Sequence, residues 1–265
     1  MNILCIGDIV GRPGRAAIAR LLPGLKEEFH LDVVIANAEN SAGGSGITPR
    51  VADQLFQLGC DVLTTGDHVW DKAEIREFLN QRETLLRPAN FPDGAPGKGW
   101  CLYEVVPGGK IGVINLLGRV FMRYNVNCPF REVSKLVETL KKETPVIIVD
   151  MHAEATSEKI ALGFFLDGKV SALVGTHTHI QTADEKILPK GTAYITDLGM
   201  TGPYDSVIGQ NKEEIIQRFL SSLPHKFAVA LEGTELHGVF LDIDEATGSA
   251  RRIVRLQRRL EETVV

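Results

Sequence analysis

Short apolar runs alternate with longer stretches of helical period along the first third of the chain. Residues 2–6, 32–36 and 60–65 read as buried strands, and residues 14–29 and 49–58 between them read as helices. That rhythm predicts βαβ units and a largely parallel sheet. The punctuation agrees: Thr48-Pro49 offers an N-cap followed by proline at the first helical position, and Gly59 stops that helix before the next strand. Further along, residues 131–143 carry Val133, Leu136, Val137 and Leu140 at helical spacing, with Pro145 ending the element before an apolar strand at 146–149. A second buried strand is predicted at 170–174 and a helix at 212–220.

The rest of the pattern is hairpin-like. Residues 101–106 and 110–115 flank Pro107-Gly108-Gly109, and 236–243 and 251–256 flank a turn at 245–248. Strands are also expected at 191–195 and 227–231, whereas residues 87–98, with three prolines and two glycines, should form an ordered loop. Parallel units followed by hairpins fit two mixed sheets stacked face to face, each covered outside by helices. No internal repeat or low-complexity segment interrupts this order.

Composition narrows the class. At 265 residues and 44% hydrophobic content, one domain spanning 1–265 with a substantial core is expected. No stretch approaches the roughly 18 apolar residues of a membrane span, and no basic leader precedes the first apolar run, so a cytoplasmic protein is expected. Cys5, Cys60, Cys101 and Cys128 form no CxxC pair and read as reduced thiols. A net charge of −5 disfavours broad binding to nucleic acid backbones. The arginines at 251, 252, 255, 258 and 259 alternate with apolar residues and read as the solvated side of a terminal element.

The candidate chemistry gathers just past strand ends. Asp8 follows the first apolar run, Glu39-Asn40 the second, Gly66-Asp67-His68 the third, and His152 the run at 146–149. Gly175-Thr176-His177-Thr178-His179 follows the run at 170–174, and in an extended segment both imidazoles of such a pair would point to the same side. Sites in open α/β sheets form at carboxyl strand ends. A mixed imidazole and carboxylate set suits Mn²⁺, Fe or Zn²⁺ more than Mg²⁺ or Ca²⁺, so a binuclear transition-metal centre is expected. Two ions about 3.5–4 Å apart can share a hydroxide and clamp phosphoryl oxygens during in-line attack.

Other polar features carry less. The glycines at 7, 11 and 14 match neither a dinucleotide fingerprint nor a P-loop. Gly43-Gly44-Ser45-Gly46 reads as a connection that could also present amides to a phosphate. His30, His225 and His237 read as structural or exposed, and Asp150 as a carboxylate that could orient His152.

The blocks Gly7-Asp8-Ile9-Val10-Gly11, Gly66-Asp67-His68-Val69-Trp70-Asp71-Lys72, residues 87–92, Gly175-Thr176-His177-Thr178-His179 and residues 193–203 resemble the calcineurin-like metallophosphoesterases, most closely the bacterial YmdB-type branch, across nearly the whole chain. The resemblance implies a four-layer αββα sandwich, two divalent or mixed-valence transition-metal ions, and hydrolysis of 2′,3′- and 3′,5′-cyclic nucleotides by a metal-bridging hydroxide. It assigns Asp8, Glu39, Asn40 and His179 to one ion and Glu39, Asp67, His152 and His177 to the other, with Glu39 bridging. His68 becomes the catalytic histidine assisting the leaving group. Apart from the resemblance, His68 also reads as a surface histidine capped by Asp71, and Asn90 as either shaping the substrate pocket or satisfying a turn backbone. Two departures stand out: the usual Asp-x-His is Asp8-Ile9-Val10, with Asn40 as the substitute ligand, and the usual Gly-Asn-His is Gly66-Asp67-His68. The alternatives are a regulatory protein contacting RNA or a protein partner through a vestigial metal pocket, and a phosphomonoesterase. The expected partner is a small phosphodiester, with a homo-oligomer compatible.

Overall fold

The computed structural model describes residues 1–106 and 108–261; Pro107, in the predicted hairpin turn, lies outside the described residues. One sheet holds β1 (Asn2–Ile6), β2 (Asp8–Ile9), β3 (Val33–Asn37), β4 (Val62–Thr64), β11 (Met200–Pro203), β12 (Thr234–Ile243) and β13 (Ala250–Arg259). Its order is β2-β11-β12-β1-β3-β4, with β13 on β12. The other holds β5 (Trp100–Glu104), β6 (Lys110–Leu117), β7 (Ile147–His152), β8 (Ala172–Thr176), β9 (Lys186–Ile187) and β10 (Ala193–Ile195), in the order β5-β6-β7-β8-β10-β9. Both are mixed. β1, β3 and β4 run parallel, as do β6, β7, β8 and β10, while β12 joins the first sheet antiparallel and the β5–β6 hairpin edges the second.

Alternation along the strands builds the layers. Ile3 and Cys5 of β1 face a core shared with Val113, Ile148 and Val174 of the second sheet. Leu4 and Ile6 face outward to Ile18, Leu22 and Leu25 of α1 (Gly11–Phe29) and to Ala52 and Leu55 of α2 (Pro49–Gln57). On the far side, Ile147, Val149 and Met151 of β7 pack with Val133, Val137 and Leu140 of α4 (Pro129–Leu140) and Leu162 and Leu166 of α5 (Thr156–Leu166). Strands covered on both faces read as solid apolar runs, which is why these strands were visible in the pattern. The result is the expected helix–sheet–sheet–helix sandwich, completed by the short α3 (Ile75–Phe78) and by α6 (Lys212–Ser221).

Local chemistry explains the boundaries. Thr48 caps α2 by accepting from Val51 N at 3.2 Å, and Asn211 caps α6 by accepting from Glu214 N at 3.0 Å. The first helix begins at Gly11, three residues before the expected start, because Gly11 takes φ 55 and turns the chain directly out of β2. The expected strand at 227–231 does not form. Only Val229 bridges to Gln210, and Leu231 is 72% exposed, so this segment meets a tight turn and no extended partner. The helix α5 escaped the periodicity because Ile160, Phe164 and Phe165 face outward while Lys159 is turned in, leaving no single apolar stripe. The arginines of β13 form the solvated face expected, with Arg251, Arg255 and Arg258 paired to Asp244, Glu185 and Glu28. No helix among the described residues is long and apolar enough to cross a membrane.

Candidate metal centre

The parallel strands of both sheets deliver their carboxyl ends to one cleft. Asp8 comes from β2, Glu39 and Asn40 from the turn after β3, and Asp67 and His68 from the turn after β4. The opposing sheet supplies His152, the last residue of β7, and His177 and His179 from the turn after β8. Single ligand atoms of Glu39, Asp67, His152 and His177 all lie within 4.8 Å of one another. His152 Nε2 stands 3.1 Å from Glu39 Oε1 and 3.4 Å from Asp67 Oδ1, and His177 Nδ1 stands 3.0 Å from His152 Nε2. Asp8, Asn40 and His179 gather beside them: His179 Nε2 is 3.1 Å from Asn40 Nδ2 and 3.9 Å from Asp8 Oδ1.

The imidazoles converge for a different reason from the one expected. β8 ends at Thr176, and His177 and His179 take φ 104 and φ 65, so a turn aims them and strand alternation does not. Left-handed backbone at a non-glycine costs about 1–3 kcal/mol per residue and persists only where its surroundings enforce it. Thr176, whose side chain strict alternation would turn away from the imidazoles, points inward as well. Its hydroxyl donates to Asp150 Oδ1 at 2.7 Å and lies 2.9 Å from His152 Nδ1, which must therefore donate to it.

Each imidazole is held by its outer nitrogen so that the inner one faces the cleft. His152 is held through Thr176 and Asp150, and the Asp150 carboxylate also accepts from Thr64 Oγ1 at 2.5 Å and Asn37 Nδ2 at 3.2 Å. His179 Nδ1 donates to the carbonyl of Ile208 at 2.9 Å. His177 Nε2 faces Glu154 Oε2 at 3.2 Å. Asp150 thus orients His152 as expected, but through a hydroxyl. Asn37, Thr64, Glu154 and Ile208 belong to no motif; nearness to strand ends marks the first three, and nothing in the sequence marks Ile208.

The donor set fits cations. Asp8 Oδ1 and Asp67 Oδ1 are buried and have no hydrogen-bond donor among the described residues, an arrangement that isolated carboxylates avoid unless an ion completes them. Burial would raise Glu39 and Asp67, yet the positive charge of His152, closest to Glu39, holds both below the usual carboxylate range. Burial pushes Asp8 up to about 6 against the pull of His179 and His152. Burial would lower His152, but Glu39, Asp67 and Asp8 outweigh it and raise it well above an ordinary imidazole. His177 falls to about 4 through burial and the neighbouring His152, leaving a neutral imidazole. The cleft therefore attracts positive charge, and His177 presents a nitrogen lone pair to it.

His68 sits at the mouth, its side chain 34% exposed. Its Nδ1 lies 2.8 Å from Asn40 Oδ1, and Asp71, the alternative partner, is engaged with Ser45 and Arg123. The adjoining cavity, about 330 Å³, is lined also by Gly44, Glu154, Ile208 and Gln210. Gly44 N donates to Asn40 O, so the glycine turn shapes the wall and holds the ligand turn. Asn90 lies outside this cavity. It is fully buried, donating to Leu117 O and Asn127 O and accepting from Leu117 N, and so staples the loop at 87–98 to β6. His237 is buried and stacked on Tyr204, and His30 ends α1 in the left-handed conformation.

A family model described as YmdB-like protein matches residues 4–256. The chain belongs to the YmdB-like family. Among curated relatives, a 2′,3′-cyclic-nucleotide 2′-phosphodiesterase from Bacillus subtilis is 50% identical over 256 residues, covering 97% of this chain and 96% of its own. A putative phosphatase/phosphodiesterase from Mycoplasma genitalium is 38% identical over 99% of this chain and 94% of its own. Among solved structures, a phosphatase from Mycoplasma pneumoniae superposes with TM-score 0.91 at 36% identity, covering 98% of this chain and 93% of its own. A hypothetical protein from Thermus thermophilus superposes with the same TM-score at 39% identity over 98% and 99%. The branch that the sequence motifs resemble is thus the family of the chain.

Proposed function

We propose that this protein is a binuclear metal-dependent phosphodiesterase of one domain, acting in the cytoplasm on small cyclic nucleotides, both 2′,3′ and 3′,5′. The observation that carries the reading is the pair of buried carboxylate oxygens on Asp8 and Asp67, without a donor among the described residues, facing the inner nitrogens of His179 and His152 from the opposite sheet. Asp8, Glu39, Asn40 and His179 would hold one ion, and Glu39, Asp67, His152 and His177 the other, with Fe or Mn favoured and Zn compatible. When bound, two such ions would acidify water and neutralise the phosphoryl oxygens.

The protein's own residues do the rest. Asn40 engages His68 at Nδ1 and leaves Nε2 as the atom that holds a proton for the departing alkoxide. The cavity is at the small end of the range for ligand sites, which suits one nucleotide and not a polymer. Gln210 lines the same cavity and would offer its amide to a base or ribose, to which the half-exposed Ile208 would offer an apolar surface.

The test is hydrolysis by chelator-treated, Mn²⁺-reconstituted protein of bis-p-nitrophenyl phosphate, both cyclic AMP isomers and p-nitrophenyl phosphate. Diesters should react faster than the monoester, Glu39→Ala should abolish Mn²⁺ binding, and His68→Ala should keep the metal while kcat falls about 10²–10⁴-fold. Turnover indifferent to Mn²⁺ and to both substitutions would overturn the reading.

A further inference from the structure

A buried ion pair beside the cleft is not used by the chemistry just described. Lys159 of α5 and Asp197 are both 0% exposed, and Lys159 Nζ lies 2.7 Å from Asp197 Oδ2. Asp197 reaches further than its partner. Its Oδ2 also accepts from Thr178 N at 3.1 Å, and its Oδ1 accepts from Gly199 N at 2.9 Å. Gly199 O in turn accepts from Asp8 N at 3.1 Å, and Asp8 Oδ2 accepts from His177 N at 3.1 Å. These bonds close a ring from Asp8 through Gly199, Asp197 and Thr178 to His177 and back to Asp8.

The ring crosses between the sheets. Asp8 belongs to the first, and the turn carrying His177 and His179 to the second. Glycines make room for it: a Cβ on Gly7 would stand 2.0 Å from Gly199 O, and one on Gly175 would stand 1.8 Å from Thr196 O and 2.9 Å from Lys159 Cδ. The same turn carries the two left-handed histidines, so something must hold it against relaxation. A carboxylate accepting two backbone amides can do so, and in a dry site it requires a counter-charge, which Lys159 supplies.

We propose that Lys159 and Asp197 are positioning residues, a clamp that keeps Asp8 of one sheet and His177 and His179 of the other at ion-binding spacing. The inference rests on the metal-centre reading above. It differs from an ordinary core brace in what it predicts: loss of the clamp should weaken ion binding without unfolding the metal-free chain. Asp197→Asn alone leaves Lys159 unpaired and is expected to destabilise the fold. The decisive variant is therefore the double Lys159→Met/Asp197→Asn, which buries no lone charge and still forces the amide nitrogen of residue 197 against one of the two backbone donors.

Calorimetric Mn²⁺ titration of the chelator-treated full chain, beside its melting temperature without metal, tests the clamp. The double variant should melt within a few degrees of the parent and bind Mn²⁺ about 10–100-fold more weakly, the range for groups that orient metal ligands. Parental affinity in the double variant would overturn the clamp. So would collapse of its metal-free fold, which would make the pair a core brace. If the parent itself binds no Mn²⁺, the metal-centre reading falls instead.

Discussion

Gly66→Ala is a sharp probe of the cleft because one methyl group would enter it. Gly66 is not among the glycines with positive φ, so alanine meets no backbone strain there and the effect is steric. The added Cβ would stand 2.2 Å from His152 Cδ2, 2.3 Å from His152 Nε2 and 2.4 Å from Glu39 Oε2. Ordinary contact begins at 3.4 Å, so the ring and the carboxylate must retreat by about 1 Å or the turn carrying Asp67 must move back by as much. Ligand distances tolerate only about 0.2 Å. The expected loss of Mn²⁺ affinity therefore exceeds the roughly 100-fold upper range for groups that merely orient ligands. Overpacking costs about 1–3 kcal/mol of fold stability, and each kcal/mol lowers the melting temperature of a chain this size by about 2–4 °C. Calorimetric titration with Mn²⁺, beside thermal melting without metal, separates the two effects. A variant that melts normally and binds Mn²⁺ within threefold of the parent would refute the placement of Glu39 and His152 against Gly66.

Three further outcomes follow from the structure. Asp150→Asn presents an amide nitrogen to one of the groups now donating to Asp150, and Mn²⁺ affinity should drop about 10–100-fold; unchanged affinity would show that Thr176 alone orients His152. Thr48→Ala removes the cap of α2 and should lower stability by about 1 kcal/mol, read as a shift in urea midpoint at constant m-value, with no change in Mn²⁺ affinity. In a native thiol titration, half-buried Cys128 should react first. Cys5, Cys60 and Cys101 should stay silent even at pH 9, since burial raises all three and pushes Cys60 and Cys101 up to about 12; rapid modification of all four thiols in folded protein would contradict the core described.

Much of the site was legible because βαβ topology turns linear order into place. A polar residue just past an apolar run lies at a carboxyl strand end wherever the strands are parallel, so Asp8, Glu39, Asp67, His152 and His177 could be grouped before any coordinates. Asn90 kept two readings because a proline-rich loop can either face a site or staple itself down, and only packing chooses; here its amide serves Leu117 and Asn127. The segment at 227–231 was misread because a short apolar run is a strand only if an extended partner lies beside it.

The amino-acid sequence by itself determined the two sheets, their helical covers and the edge where the ligands collect, because strand and helix periods are properties of consecutive residues. It also determined which donor types meet there. Only the tertiary structure decided how they meet: the left-handed turn that aims His177 and His179, the Thr176 hydroxyl between Asp150 and His152, and the buried Lys159–Asp197 pair reaching Asp8 through Gly199. Those contacts join residues far apart in the chain, and no local period records them. Their energies depend on burial and distance, which exist only once the two sheets have closed on each other.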